Sequence, residues 1–252
     1  MRLELETSRF YLGRDYSEAI ESFGGIPVHL ALIPKADYLA NAMEGLDGIL
    51  LPGSNTDVDP NYYGQEPHRN LGTVIPIKDE TDRLVLELIE SLNLPLLAIC
   101  YGMQALNVHR GGTLIQDIAS QVSGSFKHEQ GAPQARNSHS IEIAEKGILA
   151  RLSGGNENSG QIRVNTSHHQ AIGTVGRDLI ATAWAADGIV ECIEDTRPDR
   201  FALGVQWHPE LTVGFDRLSQ QVFKHFVDVC RRGSKNYSAN TEETEQIAVE
   251  VG

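Results

Sequence analysis

Residues 95–104 read Pro95-Leu-Leu-Ala-Ile-Cys100-Tyr-Gly102-Met-Gln104, and they combine an apolar strand, a sharp turn and the start of a helix. The four apolar residues after the proline lack polar alternation, which is typical of a strand covered on both faces of a parallel sheet. A helix is predicted from about Gly102 to Arg110. This order places Cys100 at the carboxyl edge of a sheet, where open α/β folds bind their ligands.

The segments around this strand alternate between helices and short apolar runs. In the first half, helices are predicted over residues 15–23, 36–43 and 79–92, and strands over residues 27–33 and 47–51. In the second half, strands are predicted over residues 138–144, 161–165, 179–184, 189–194 and 201–207, with a closing helix over residues 211–230. The polar segment 118–137 allows no assignment. The pattern predicts an α/β protein with three layers, α/β/α, a mostly parallel central sheet, and extra antiparallel strands in the second half.

Nothing divides the 252 residues into several domains. The chain has no internal repeat and no linker, so a single domain is expected over residues 1–232. After Gly233 the residues become polar and acidic. The tail 233–252 is therefore predicted to be disordered.

Charge and composition exclude several classes of partner. The net charge of −13 repels a phosphate backbone or an anionic lipid surface, so we expect neither nucleic acid nor a membrane as partner. No apolar run approaches the roughly 20 residues that span a bilayer. The first six residues alternate charge with leucine instead of forming a secretory signal, so a cytoplasmic location is expected. Three widely spaced cysteines predict neither a disulfide framework nor a Cys-x-x-Cys zinc site.

Cys100 has two interpretations. The segment Ala98-Ile-Cys100-Tyr-Gly102 is similar to the G-x-S-x-G nucleophile elbow, in which a tight turn exposes the nucleophile beside a helix N-terminus. The partial positive charge of that N-terminus favours a thiolate. The alternative is an inert cysteine that fills the end of a strand. The residues around Cys100 leave both interpretations open.

His208 follows the predicted strand 201–207 and is therefore expected at the same edge of the sheet. It could take the proton of a thiol, and Glu210, across a proline, could hold the imidazole in one tautomer. The alternative is a surface histidine beside a glutamate that caps a helix.

A long predicted loop covers residues 53–76. Loops of this length in compact domains are usually functional or disordered. This loop is interpreted either as a polar surface loop or as a wall of a substrate pocket.

The segments around Cys100 and His208 together resemble the class I glutamine amidotransferase-like superfamily. The resemblance rests on the C-x-G-x-Q pattern of residues 100–104 and on Gly204-Val-Gln-Trp-His208-Pro-Glu210. Within that superfamily the chain is most similar to the gamma-glutamyl-gamma-aminobutyrate hydrolase branch. The segments that carry this second likeness are Tyr11-Leu-Gly-Arg-Asp15, Leu51-Pro-Gly-Ser54 and Val164-Asn-Thr-Ser-His-His-Gln170. The likeness covers about residues 10–230 as one catalytic domain.

The resemblance implies a cysteine-dependent hydrolase of gamma-glutamyl amides in which Cys100, His208 and Glu210 form a triad. Cys100 would attack the side-chain carbonyl and form a gamma-glutamyl thioester. His208 would pass the proton to the leaving amine, and water would then release glutamate. Glu210 would orient His208.

The resemblance also implies the groups that contact the substrate. The backbone amides of Tyr101 and of Gly53 or Ser54 are the implied oxyanion donors. Gln104 is the implied partner of the glutamyl α-carboxylate or amino group. The segment similar to the family's glutamyl pocket contributes Asn165, Ser167 and His168.

The neighbouring His168 and His169 invite a metal interpretation, which their spacing does not favour. Adjacent residues of an extended segment point to opposite sides, so both rarely bind one ion. No cysteine or carboxylate stands at ligand spacing around them. We therefore expect no metal ion and no cofactor.

Three functions remain to be distinguished. The first is a stand-alone hydrolase, with gamma-glutamyl-gamma-aminobutyrate from polyamine breakdown as its first candidate substrate. Asp57 and Asp59 would suit an amino-bearing leaving group at least as well as a carboxylate. The second is a glutaminase subunit that delivers ammonia to a separate synthase. The third is a non-catalytic binding protein on the same fold. The expected partner is a small gamma-glutamyl amide, and the pairing of two copies in a homodimer is left open.

Overall fold

A computed structural model describes the backbone of residues 2–4, 9–154 and 162–250, and the side chains of residues 10–154 and 162–233. The strands are β1 (Arg2–Glu4), β2 (Arg9–Tyr11), β3 (Ile49–Leu51), β4 (Leu96–Ile99), β5 (Leu114–Ile115), β6 (His139–Ile143), β7 (Arg163–Val164), β8 (Ala171–Ile172), β9 (Leu179–Ala185), β10 (Val190–Asp195) and β11 (Ala202–Val205). The α-helices are α1 (Arg14–Ser22), α2 (Ala36–Met43), α3 (Pro76–Leu92), α4 (Tyr101–His109), α5 (Ile118–Gln121), α6 (Ile148–Ser153) and α7 (Arg217–Glu250).

Among the described residues, seven strands form one central sheet in the order β3-β4-β11-β10-β9-β6-β7. Strands β3, β4 and β11 run parallel to one another. The strands from β10 to β7 join this parallel part with antiparallel pairing. The expected α/β class and its antiparallel additions from the second half are confirmed. Both halves of the chain contribute strands to this sheet.

Helices cover both faces of this sheet, and β4 shows why. Leu96 and Ala98 belong to an apolar cluster with α2, α3 and α4, whereas Leu97 and Ile99 belong to a second cluster with α1, α6 and α7. All four side chains are buried. Successive residues of a strand point to opposite faces, so an unbroken apolar run is what burial on both sides needs. The three-layer arrangement follows from this pattern.

The strand predicted over residues 27–33 is wrong. The segment has no regular secondary structure and forms no ladder among the described residues, and the hydrogen bonds of its last residues are local, such as Ile33 N–H to Ala31 O. Ile26 and Val28 are 90% and 59% exposed. A groove of about 500 Å³ separates the segment from β3. Apolar composition predicted burial here, but a strand also needs a neighbour with which to pair.

The closing helix extends further than predicted. α7 continues through most of the segment 233–252, so its backbone differs from the disordered tail expected there. The side chains after residue 233 lie outside the described residues. No helix in the described parts of the chain has the length and apolar character that a membrane crossing needs.

Candidate active site

Cys100 lies in the tight turn between β4 and α4. Its backbone has φ 52° and ψ −108°, a conformation that costs a residue with a Cβ of order 1–3 kcal/mol. The surroundings hold it there: the Cys100 N–H donates to Val205 O at 2.8 Å, and a Cβ on Gly102 would lie 2.3 Å from Leu51 O. The turn therefore has the strained strand-to-helix geometry of a nucleophile elbow.

His208 lies just beyond the end of β11, and its side chain and that of Cys100 both lie close to Gly53. A Cβ placed on Gly53 would lie 2.7 Å from His208 Cε1 and 3.5 Å from Cys100 Cβ. His208 Nδ1 lies 2.7 Å from Glu210 Oε1. With Nδ1 facing the carboxylate, Nε2 is the imidazole nitrogen left for the Cys100 sulfur. The structure thus brings together the three residues that the sequence singled out.

The charge of the His208 imidazole depends on two acidic neighbours. Burial alone would lower the pKa of His208, but the Glu210 carboxylate and the Cys100 sulfur outweigh burial. The net result is a pKa well above the ordinary value for histidine. A basic imidazole beside the sulfur is the arrangement in which a cysteine can act as a nucleophile.

Tyr16, on α1, is a residue of this site that sequence reasoning missed. Its hydroxyl accepts a hydrogen bond from the Gly53 N–H at 3.0 Å. Burial raises its pKa well above the usual range, and the nearby Glu210 and Cys100 raise it further. The phenol therefore stays protonated and can donate toward the Glu210 carboxylate. A lone tyrosine in an amphipathic helix carries no chemical signature, so no sequence signal pointed to it.

The three implied oxyanion donors have different surroundings. Tyr101 is the first residue of α4, so its N–H belongs to the first turn, which has no intrahelical acceptor. Its buried side chain is turned away, with the hydroxyl donating to Asp79. The Gly53 N–H is bonded to Tyr16, and the Ser54 hydroxyl pairs with Thr56 Oγ1 at 2.8 Å.

A cavity of about 520 Å³ opens over Cys100. This volume is within the range of small-molecule sites. Its lining contains acidic and basic groups together, including Asp15, Asp57, Glu129, His169 and His208. Such a mixture suits a ligand that carries both a positive and a negative charge.

The loop 53–76 contributes a wall of this cavity, but its acidic groups are already engaged. Asp57 accepts from Gly72 N–H at 2.6 Å and pairs with His169 Nε2 at 2.9 Å. Asp59 accepts from Asn61 N–H at 2.9 Å. The hydrogen bond to Asp57 is the main reason that the pKa of His169 is raised. The charged form of His169 is therefore favoured at the cavity wall. The contacts of Asp57 and Asp59 give no support to the expectation that they would suit an amino-bearing group.

Two of the residues implied as substrate contacts already form hydrogen bonds with other residues of the protein. Gln104 lines the cavity, yet its Nε2 donates to Gln170 O at 3.2 Å and to Gln206 Oε1 at 3.1 Å. Asn165 does not line it: its Oδ1 accepts from His208 N–H at 3.0 Å, and its Nδ2 donates to His208 O at 2.9 Å. The structure therefore assigns Asn165 to holding the His208 backbone, because both ends of its amide are used there.

Ser167 and His168 also differ from each other. Ser167 lines the cavity, and its Oγ accepts from Gln134 Nε2 at 3.2 Å. His168 borders the cavity, but its side chain is only 2% exposed. Its Nδ1 faces Gln170 O at 2.8 Å, and its Nε2 faces Glu191. The ring of His168 is therefore directed into the protein.

The chain is similar in sequence to proteins of one family. The family model for peptidase C26 matches residues 3–210. A protein of Lactococcus lactis, provisionally named a glutamine amidotransferase-like protein, is 35% identical over 219 residues, which cover 86% of this chain and 88% of that protein. The gamma-glutamyl-gamma-aminobutyrate hydrolase of Escherichia coli is 31% identical over 229 residues, which cover 87% of this chain and 86% of that enzyme.

The fold is also similar to that of a solved structure. The crystal structure of a Thermoplasma acidophilum protein, provisionally named as one of the subunits of GMP synthase, superposes with a TM-score of 0.60. It covers 94% of this chain and 96% of that chain at 16% identity, so the likeness concerns the fold alone. Since the family model covers most of the chain and full-length relatives exceed 30% identity, this protein belongs to the peptidase C26 family of glutamine amidotransferase-like proteins.

Proposed function

We propose that this protein is a cysteine-dependent hydrolase of gamma-glutamyl amides, acting on gamma-glutamyl-gamma-aminobutyrate or a related gamma-glutamyl amine. The observation that carries the proposal is the meeting of Cys100, on its strained turn, with His208 and Glu210 below one cavity. The Escherichia coli relative whose name states this activity supports the choice of substrate class. A cytoplasmic role in polyamine breakdown is part of the proposal.

The proposed reaction proceeds through a thioester. The Cys100 thiolate attacks the side-chain carbonyl carbon of the gamma-glutamyl group, and the electron pair of the C=O bond moves onto oxygen. His208, carrying the proton, donates it to the amine as the C–N bond breaks. His208 then takes a proton from water, which attacks the thioester and releases glutamate and the thiolate. The leaving amine and the glutamate account for all atoms of the substrate and of one water molecule.

The oxyanion of each tetrahedral intermediate needs donors that are fixed before the reaction. The Tyr101 N–H at the start of α4 suits this role, because the partial positive charge of the helix N-terminus adds to it. The second donor comes from the Gly53–Ser54 loop. If this donor is Gly53, its N–H must give up its hydrogen bond to the Tyr16 hydroxyl in order to bind the substrate oxygen.

The charges of the cavity suit the α-amino acid end of a gamma-glutamyl group. Asp15 and Glu129 are carboxylates in the lining that could receive an α-ammonium group. The His169 imidazole, whose pKa is raised, could receive the α-carboxylate. With the α-amino and α-carboxylate groups placed in this way, the leaving amine would occupy the remaining part of the cavity.

The proposal is tested by a turnover screen of glutamine, gamma-glutamyl-gamma-aminobutyrate and gamma-glutamyl polyamines. We expect at least one gamma-glutamyl amine to be hydrolysed faster than glutamine, and the Cys100→Ala variant to release no glutamate while keeping its circular dichroism spectrum. Cys230→Ala, which removes a thiol that does not line the cavity, is the matched control and should retain activity. Activity in the Cys100→Ala variant would overturn the mechanism.

A glutaminase subunit is the second candidate, because some relatives are provisionally named glutamine amidotransferases. It would use the same triad to release ammonia for a separate synthase. Glutaminase activity that is low alone and rises on addition of a synthase partner would favour this candidate. Full turnover of a gamma-glutamyl amine without a partner would favour the hydrolase.

A non-catalytic protein on this fold is distinguished by the reactivity of its cysteines. Burial raises the pKa of Cys192 well above the usual range and that of Cys230 to about 12, so both thiols should react slowly near neutral pH. If Cys100 acts as a nucleophile, iodoacetamide should alkylate it much faster than the other two. Equal rates at all three positions, measured by peptide mass spectrometry, would favour a binding protein.

A further inference from the structure

A second cluster of ionisable side chains lies beside the active-site cavity, around the carboxylate of Glu191 on β10. Its other members are His128, His139 and His168, which come from three separate segments. The side chains of His128 and His168 are 2% exposed, and that of Glu191 is 0% exposed. The proposed hydrolase mechanism uses none of these groups.

Hydrogen bonds to neighbouring oxygens locate a proton on one ring nitrogen of His128 and on one of His168. His128 Nε2 lies 2.9 Å from Asp187 Oδ2, and His168 Nδ1 lies 2.8 Å from Gln170 O. A carboxylate and a carbonyl oxygen only accept hydrogen bonds, so these two nitrogens are the donors. In the neutral rings, the opposite nitrogens carry lone pairs. Those nitrogens, His128 Nδ1 and His168 Nε2, are the ones that face Glu191.

Three side chains therefore face one another inside the protein with atoms that carry lone pairs. His128 Nδ1, His168 Nε2 and both oxygens of Glu191 are buried and have no hydrogen-bond partner among the described residues. Burying such groups without a partner is costly. A cation between them would satisfy all of them at once.

Two N···O separations in the cluster are longer than a hydrogen bond. Glu191 Oε1 lies 3.6 Å from His128 Nδ1 and 3.7 Å from His168 Nε2. An N–H···O hydrogen bond spans about 2.7–3.2 Å, so both separations are too long for a proton alone. Two ligand atoms at about 2.0–2.1 Å from one tetrahedral zinc ion lie about 3.4 Å apart. One ligand atom from each of the three residues lies within 4.8 Å of the other two.

We propose that His128, His168 and Glu191 form a buried binding site for a divalent transition metal ion of the zinc type. Two imidazole nitrogens and one carboxylate are a ligand set that zinc favours. Asp187 and the Gln170 carbonyl supply the hydrogen bonds that typically orient metal-binding imidazoles. This proposal is independent of the proposed hydrolase function.

His139 is the nearest residue for a fourth position. Its Nε2 lies 3.0 Å from Glu191 Oε1, yet the two atoms do not have the geometry of a hydrogen bond, and both ring nitrogens are without partners among the described residues. Because the cluster is almost completely buried, the site suits a structural ion better than a catalytic one with an open, solvent-accessible position.

The ion would stabilise one wall of the active-site cavity. His168 belongs to the segment 165–170, whose neighbours Ser167 and His169 line the cavity. The same segment contacts the loop of His128, since Thr166 Oγ1 and His168 N–H both donate to His128 O. An ion that joins His168 to β10 and to this loop would fix all three elements together.

The test is a titration of metal-free, full-length protein with Zn²⁺ and with Co²⁺ as a spectroscopic probe. We expect one ion per chain, a visible absorption band typical of tetrahedral Co²⁺, and a higher Tm in the presence of Zn²⁺. Glu191→Gln removes a ligand and should weaken Zn²⁺ binding at least about 100-fold. Asp187→Asn should cause a smaller loss, about 10–100-fold, because Asp187 only orients a ligand. His225→Asn, a half-buried histidine on α7, is the matched control and should bind like the wild type.

A second measurement, on the wild-type protein, tests the proposal even if a variant fails to fold. Nitrogen-15 spectra of its histidines should show Zn²⁺-dependent shifts at His128 Nδ1 and His168 Nε2, with Nε2–H and Nδ1–H tautomers respectively. The proposal is overturned if the wild type binds no ion after dialysis, or if Zn²⁺ binds while these two nitrogens and the Tm stay unchanged.

Discussion

The Gly53 amide donates a hydrogen bond to the Tyr16 hydroxyl across 3.0 Å, directly beside Cys100 and His208. The contact joins α1 to the loop after β3, which are 37 residues apart in sequence. Because burial keeps Tyr16 protonated, its hydroxyl can accept from Gly53 and still donate toward Glu210. The phenol therefore lies close both to the loop that approaches the nucleophile and to the carboxylate that orients the base.

The crowding at Gly53 gives the first prediction. A methyl group added by Gly53→Ala would lie 2.7 Å from His208 Cε1 and 2.9 Å from the Tyr16 hydroxyl, so His208 must move. A misplacement of about 1 Å can lower the rate about 100-fold. We expect kcat to fall by about that factor while the fold is kept. Gly214→Ala is the control and should retain wild-type kcat, because no described residue other than its chain neighbours comes within 4 Å of the added Cβ.

The backbone strain at Cys100 gives the second prediction. Cys100→Ala and Cys100→Gly both remove the sulfur, but only glycine adopts φ 52° and ψ −108° without a penalty. Relief of the strain offsets the entropy of the more flexible unfolded chain, so we expect the glycine variant to be about 1 kcal/mol more stable than the alanine variant. Urea unfolding of the two inactive variants measures this difference. A glycine variant that is the less stable of the two would contradict the idea of a strained elbow.

Much of the layered fold and of the site could be predicted from patterns that are local in sequence. The run 96–99 predicted a strand buried on both faces, and the turn after it predicted the position of Cys100 at the carboxyl edge of the sheet. Strand ends before Cys100 and His208 predicted a common sheet edge, because the carboxyl ends of parallel strands lie together. These are features that one residue type and its immediate neighbours determine.

The contacts that could not be predicted join segments with no local signature. Tyr16 reaches the site from an ordinary amphipathic helix, and His128 lies in the polar segment 118–137, for which no element was assigned. The strand expected over residues 27–33 is wrong for a related reason. A strand must pair with a neighbour that is distant in sequence, and apolar composition does not reveal that neighbour. The role of Asn165 was likewise hidden, because its amide binds a backbone 43 residues away.

Asn165 gives the third prediction, as a positioning residue. Its amide satisfies both the N–H and the carbonyl of His208, and Asn165→Ala would leave these buried groups unpaired at a cost of about 1–3 kcal/mol. We expect kcat to fall about 10–100-fold with little change in KM, since Asn165 does not line the cavity. Ser167→Ala, at the cavity wall, should instead act mainly on KM. A rise in KM alone for Asn165→Ala would indicate that the residue contacts the substrate.

The pKa of His208 gives the last prediction, through the variant Glu210→Gln. The pKa of His208 in the folded protein lies above its unfolded value of about 6.5, because Glu210 and Cys100 outweigh the effect of burial. A raised histidine pKa stabilises the fold fully below the unfolded pKa, and this contribution is lost as the pH rises through the folded pKa. Removing the Glu210 charge should therefore cost more stability at about pH 6 than at about pH 9.

Urea unfolding of the wild type and of Glu210→Gln at both pH values measures this difference directly. The substitution Glu142→Gln, which removes an exposed carboxylate on β6, serves as the control and should change stability little at either pH. In Glu210→Gln, hydrolysis should fall but persist, because His208 can still accept a proton without its orienting carboxylate. A stability loss that is equal at the two pH values would mean that the Glu210 carboxylate does not raise the pKa of His208.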